Sequence, residues 1–217
     1  MHKDKEYGQA PIYMGNHHVY CREMMHYLYL PIKLKNSRVI VIEPRLEVFR
    51  PLLNICCEYL ECKNLLFGNY LYLTAKHLFV TPDNIGNRPG WHADGFMTDD
   101  LNFIWMNKYP TLFNRSAFKL TQDHNIALKE MEEQARFTRD FNYGSHDLLL
   151  LNQYVIHRTP TITESGIRTF FKLSVSKHPY NLLGNSINPY LPTGFEYFDR
   201  QEVRNDPTFS NSDSIIK

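Results

Sequence analysis

Residues 147–157 read Asp-Leu-Leu-Leu-Leu-Asn-Gln-Tyr-Val-Ile-His, and after a turn-rich link the chain continues Arg168-Thr-Phe-Phe-Lys-Leu-Ser-Val-Ser176. The first stretch is an apolar run that predicts a buried strand delivering His157 at its end. The second predicts another strand, with Arg168 at its head and Lys172 on the same face, because strand side chains alternate. Further out, Tyr70 to Val80 alternates as a strand, and Leu101 to Met106 predicts one more. Between them a loop, Thr81-Pro-Asp-Asn-Ile-Gly-Asn-Arg-Pro-Gly90, leads into Trp91-His-Ala-Asp94. Arg38-Val-Ile-Val-Ile-Glu43 is β-branched and predicts a buried strand as well.

Two helices flank these strands. Pro51 suits a first helical turn, where its missing N–H is not needed, and Leu52, Leu53, Cys56 and Leu60 follow at helical spacing to about Glu61. Thr121 to Phe137 carries Ile126, Leu128, Met131 and Ala135 among charged residues and predicts the second helix. The first 35 residues or so show no clean period. After Lys177 the chain is rich in Asn, Pro, Tyr and Gly; it is expected to wrap the surface, with its last dozen residues disordered. Helices and strands first, then mostly strands joined by turns, predict a mainly β fold with flanking helices, an antiparallel barrel or sandwich. The 217 residues suit one domain, 1–217, with its core at about 71–176 and a tail from about 178 to 217.

Hydrophobic residues make up 43% of the chain, as in a globular protein, and the formal net charge of +1 advertises no polyanion partner. The N-terminus is polar and no stretch is long and apolar enough for a bilayer span, so a cytoplasmic protein without a membrane partner is expected. Cys21, Cys56, Cys57 and Cys62 contain no CxxC pair, and three of them fall in the first predicted helix, so reduced thiols are expected.

The chemistry begins at Gly90-Trp-His-Ala-Asp-Gly95. Residues i and i+2 of a strand share a face, so His92 and Asp94 can offer an imidazole and a carboxylate to one ion. Alone the motif is weak, and a polar strand end bonded to a loop explains it as well. His157 changes the weight. Two His and one carboxylate form a facial triad that leaves adjacent positions open on an octahedral metal. Arg168, on the neighbouring strand, can grip a distal carboxylate through two parallel hydrogen bonds.

The order HxD, a long insert, then His followed eleven positions on by Arg resembles the Fe(II)/2-oxoglutarate-dependent oxygenases. The resemblance covers about Leu71 to Ser176, half the chain. It implies a double-stranded β-helix, a jelly-roll of the cupin kind. It also implies that His92, Asp94 and His157 are metal ligands and catalytic, with Fe(II), 2-oxoglutarate as cosubstrate and O2, and that Arg168 binds the C5 carboxylate. Tyr109-Pro-Thr-Leu-Phe113 is similar to a segment of taurine-dioxygenase-like members in which a Thr hydroxyl helps hold that carboxylate, making Thr111 a candidate. Lys172 matches a second basic residue that some members use for an anion; a lysine reaching solvent at the barrel mouth is the alternative. Related halogenases lack the carboxylate, so its presence as Asp94 implies hydroxylation, or demethylation where the carbon is attached to nitrogen.

Other residues carry less. His17-His18 reads as a surface pair, His146-Asp147 has the wrong spacing for one face, and Asp99-Asp100 reads as a solvated strand entry. Trp91 and Trp105 read as core or rim packing, and Arg88 and Arg115 as ordinary loop arginines. A small-molecule, amino-acid or nucleotide substrate is the first expectation. A nucleic-acid base hydroxylase or demethylase is the second, and a polypeptide hydroxylase the third. A non-catalytic cupin-like binding module is the rival from another class, and a mononuclear metal hydrolase would leave Arg168 unexplained.

Overall fold

The structure, a computed structural model, describes residues 6–199. Strands β1 (Ile12–Asn16) and β2 (Met25–Lys33) come first, then a 3₁₀ segment, Pro44–Phe49, that runs directly into helix α1 (Arg50–Cys62). They are followed by β3 (Tyr70–Val80), β4 (Leu101–Met106), β5 (Leu112–Asn114), helix α2 (His124–Gln134) and β6 (Asp140–Asn142). The last strands are β7 (Asp147–Leu151), β8 (His157–Arg158) and β9 (Gly166–Ser176). The result is mainly β, in two antiparallel sheets: six strands in the order β1-β7-β4-β9-β3-β2, and three in the order β6-β5-β8.

Strand β9 is central to the larger sheet, paired to β3 along its whole length and to β4 on the other side. Its alternation separates two environments. Phe171, Leu173 and Val175 pack with Leu52, Leu53, Cys56 and Leu60 of α1, so the helix covers the outer face. Each of the four helix side chains is fully buried, worth roughly 1.5–3 kcal/mol apiece by area. The opposite face presents Arg168, Phe170, Lys172 and Ser174. There Ile104, Met106 and Phe170 pack with Phe113 of the smaller sheet and with Leu149, Leu151 and Val155.

Three expectations change. Arg38–Glu43 forms no strand: Val41 donates a single backbone bond to Ile32, and the Asn188 side-chain amide bridges the carbonyls of Pro31 and Val41, taking the place of a ladder. The run 147–157 is not one strand. After Leu151 the Asn152 side chain accepts from Tyr154 N, and Val155 N donates to the Asn152 carbonyl, a local turn that carries the chain from the larger sheet to the smaller. Helix α2 is shorter than expected. Asp123 caps it by accepting from the backbone N–H groups of Asn125 and Ile126, and Ala127 and Met131 are its buried residues, while Ile126 is exposed.

The unpatterned N-terminus supplies β1 and β2, the two edges of the larger sheet. Residues 177–199 form no helix or strand beyond an isolated bridge between Leu182 and Phe198; the disorder expected of the last dozen residues lies outside the described residues. All four cysteines are free. Among the described residues, no helix is long and apolar enough to cross a membrane.

Candidate metal centre

His92 and His157 are backbone partners. Each N–H donates to the other's carbonyl, at 3.0 and 2.9 Å, which adds the HxD segment to the smaller sheet beside β8. Their rings lie 4.5 Å apart between centroids. His92 Nδ1 is 2.9 Å from the Gly90 carbonyl and His157 Nδ1 is 3.1 Å from that of Val155. A carbonyl only accepts, so each Nδ1 carries the proton and each Nε2 keeps its lone pair. Fixing the tautomer through the outer nitrogen is what a metal-ligating imidazole requires.

Asp94 follows in a turn rather than a strand. Gly95, at φ +70°, makes that turn; a Cβ there would meet Thr98 Oγ1 and Asp100 Cβ at 2.9 and 3.0 Å. The turn brings Asp94 Oδ2 to 3.6 Å from His157 Nε2. His92, Asp94 and His157 each offer one ligand atom, and these lie within 4.8 Å of one another, so the group can hold a metal ion. Two neutral imidazoles and a carboxylate form a borderline donor set suited to a divalent transition metal.

Burial sets the charges here. It pushes the His92 imidazole down to about 4, and His157 beside it works in the same direction. Burial would raise the Asp94 carboxyl, but Lys172, His157 and His92 together hold it well below the usual carboxylate range. Lys172 is not solvent-facing. Its ammonium is buried, 3.1 Å from Asp94 Oδ2, and donates to the Tyr29 hydroxyl at 3.2 Å. Burial opposes its charge, yet Asp94 and Tyr29 raise its pKa.

Tyr29 reaches this pair from an irregularity in β2, with φ at +48°, a left-handed conformation uncommon for a bulky residue. Its N–H donates to Thr74 Oγ1. Tyr180, from the segment after β9, packs edge-on to Tyr29, stacks on Tyr72 at 4.3 Å and donates to Asp100 at 2.6 Å. Asp100 is therefore buried, contrary to the expected solvated turn, whereas Asp99 is exposed.

Arg168 is also buried, along the sheet from Lys172. Its Nε and Nη2 donate to the carbonyls of Lys108 and Tyr109, at 3.1 and 3.2 Å. Burial lowers its pKa to about 10. Lys76, opposite Phe170 on β3, lies on the same sheet face. Burial, helped by Lys172 and Arg168, brings its pKa down to about 8. Among the described residues, neither Arg168 nor Lys76 meets a carboxylate. Thr111 is buried two positions beyond Tyr109, with its hydroxyl 3.8 Å from the Met106 sulfur and no bond to Arg168.

No protein-family model matches the chain, and no curated protein matches it. The residues themselves carry the reading.

Trp91 and Trp105 are core residues, Arg115 covers the Phe141 ring, and His18 packs its ring against His146. Sequence reasoning missed Tyr29, Lys76 and Tyr180. Lys76 left a signal, a lone cation within an apolar strand; Tyr29 and Tyr180 lie in segments without a period.

The depressed His92 pKa has a consequence for the metal-free protein. Between pH 6.5 and about 4 the unfolded chain protonates this imidazole and the folded chain does not, so stability rises with pH across that window. The expected loss on going from pH 7 to 4.5 is on the order of 2 kcal/mol from this residue. Denaturant midpoints in the presence of chelator will show it, and His92→Gln will flatten the slope.

Proposed function

We propose that the protein is an Fe(II)- and 2-oxoglutarate-dependent dioxygenase that hydroxylates a C–H bond of a small molecule, an amino acid or a nucleotide. One observation carries the reading: two tautomer-fixed imidazoles and a carboxylate converge beside a sheet face that holds a buried arginine without an acidic partner. Buried charges are normally paired. An uncompensated guanidinium along the strand from a metal-ligand set calls for an anionic ligand that reaches both.

The strand order supports the implied double-stranded β-helix. Strands β3, β9, β4 and β7 are neighbours in one sheet, and the HxD segment, β8, β5 and β6 are neighbours in the other. Along the chain from β3 to β9, strands are dealt alternately to the two sheets, save that β5 and β6 are both in the smaller, as a jelly-roll requires.

In this function His92 and His157 present Nε2 to Fe(II), and Asp94 presents carboxylate oxygen, with Oδ2 held by Lys172. Fe(II) with 2-oxoglutarate and O2, when bound, supplies the oxidation that exchanges C–H for C–OH and releases succinate and CO2. Arg168 binds the distal carboxylate of the cosubstrate and so sets its orientation. Ile104, Met106 and Phe170, buried on the same face, keep water from the centre.

A non-catalytic ligand-binding module is the second reading, favoured by the Lys172 ammonium already resting on Asp94. Anaerobic addition of Fe(II) and 2-oxoglutarate separates the two. The oxygenase reading expects a visible metal-to-ligand charge-transfer band that disappears in His157→Ala. Binding of 2-oxoglutarate without the band supports the module. The near-neutral charge favours a small substrate over a nucleic-acid base, and a test for salt-sensitive binding of single-stranded DNA or RNA decides that point.

A further inference from the structure

Lys76 has an unusual set of neighbours. Its ammonium is partly buried, and the cations Lys172 and Arg168 both disfavour its charge. Its hydrogen-bond partners are neutral and belong to one loop: the Gly86 carbonyl at 2.8 Å and Asn87 Oδ1 at 2.8 Å. That loop joins β3 to the HxD segment. Lys76, Arg168 and Gly86 also line one small cavity, whose other walls are Leu78, Val80, Ile85 and Phe170. The enclosed space is small, about 10 Å³ or one water, and is open on one side, so an anionic group would reach the two cations from that side.

An ammonium has three hydrogens. Gly86 and Asn87 take two, which leaves the third for a ligand. We infer that Lys76 is a second anion-binding residue and a latch: it shares the terminal carboxylate of a dicarboxylate with Arg168 while holding residues 84–87 over the cavity. The inference rests on the assignment of Arg168 to the cosubstrate carboxylate and adds to it a residue on another strand and a coupled loop. Ligand charge relieves the repulsion between Lys76 and Arg168, so an occupied cavity holds the loop more tightly than an empty one.

The test uses the full chain titrated with 2-oxoglutarate, with and without Mn(II), while amide hydrogen exchange is followed across 84–90. 2-Oxoglutarate is expected to slow exchange at 84–87 whether or not metal is present. Lys76→Met, a near-isosteric apolar replacement suited to a buried position, is expected to weaken 2-oxoglutarate binding by about 10- to 100-fold and to abolish the protection. Lys76→Arg should restore binding in part, and Asn87→Ala should keep binding while losing part of the protection. Wild-type affinity in Lys76→Met, or loop exchange indifferent to 2-oxoglutarate, overturns the inference. Asp94→Ala separates it from the metal assignment: the Mn(II) effect should vanish and the metal-free loop protection should stay. If 2-oxoglutarate does not bind the wild type at all, the latch and the Arg168 assignment fall together. If it binds without any metal effect and Lys76→Met weakens binding and abolishes the loop protection, the latch stands and the oxygenase reading falls.

Discussion

Asp94→Ala will produce a protein that binds no divalent metal at working concentrations, turns over 2-oxoglutarate only at background, and is markedly less stable. On the proposed function, the first two effects follow from losing one of three ligands. The loss in metal affinity should exceed the roughly 10- to 100-fold seen when an outer partner of a ligand is removed. The third effect follows from Lys172, whose ammonium is buried against Asp94 at 3.1 Å. Removing one partner of a buried pair leaves an uncompensated charge and costs about 3–5 kcal/mol. Urea denaturation with and without chelator, alongside Mn(II) titration and succinate assay, reads all three. The double variant Asp94→Ala, Lys172→Met should recover most of the stability and none of the metal binding, because it removes the stranded cation without replacing the ligand. Full turnover in Asp94→Ala would show that the ligand assignment is wrong.

Arg168→Met should do the reverse, costing function far more than stability. The guanidinium is buried without an acidic partner, and its neighbours are the carbonyls of Lys108 and Tyr109 and the Phe170 ring. Replacing an unpaired buried cation by an apolar side chain of similar length removes a desolvation cost, which offsets the two lost backbone bonds. The melting temperature should therefore move little. The affinity for 2-oxoglutarate should fall by about 100-fold or more, since a carboxylate held by a guanidinium is among the stronger charged contacts. Saturation with 2-oxoglutarate should rescue much of the turnover if Arg168 acts in binding. A wild-type KM for 2-oxoglutarate in this variant would remove the cosubstrate assignment and leave the metal centre untouched. Together the two variants describe a centre in which Asp94 and Lys172 depend on each other for stability and Arg168 costs some, as expected where a site is built for a ligand.

Much of this arrangement was legible along the chain because it depends on short-range order. The apolar spacing of Leu52, Leu53, Cys56 and Leu60 defines α1, and alternation defines β3, β4 and β9. His92, Asp94, His157 and Arg168 stand out by residue type and spacing, and the first three do converge. Arg38–Glu43 misled because β-branched composition describes a residue that would fit a strand, not whether a partner edge is available. In 147–157 the apolar run concealed a turn made by Asn152, whose side chain bonds its own backbone.

Sequence by itself determined the candidate metal-binding group and which side chains of β9 share a face, since alternation with period two depends only on the strand. Only the tertiary structure decided which partners that face meets. Lys172 lies beside Asp94, Lys76 beside Arg168, and Tyr29 against Lys172, because β9 is registered between β3 and β4 and β2 is registered on β3. A shift of one residue in any of these pairings would turn the whole set to the opposite face. Register between strands so far apart in the chain is set by packing of the complete core, and no local pattern encodes it. The same reason explains why the three iron-ligand candidates were readable in advance while the lysine that balances their carboxylate was not.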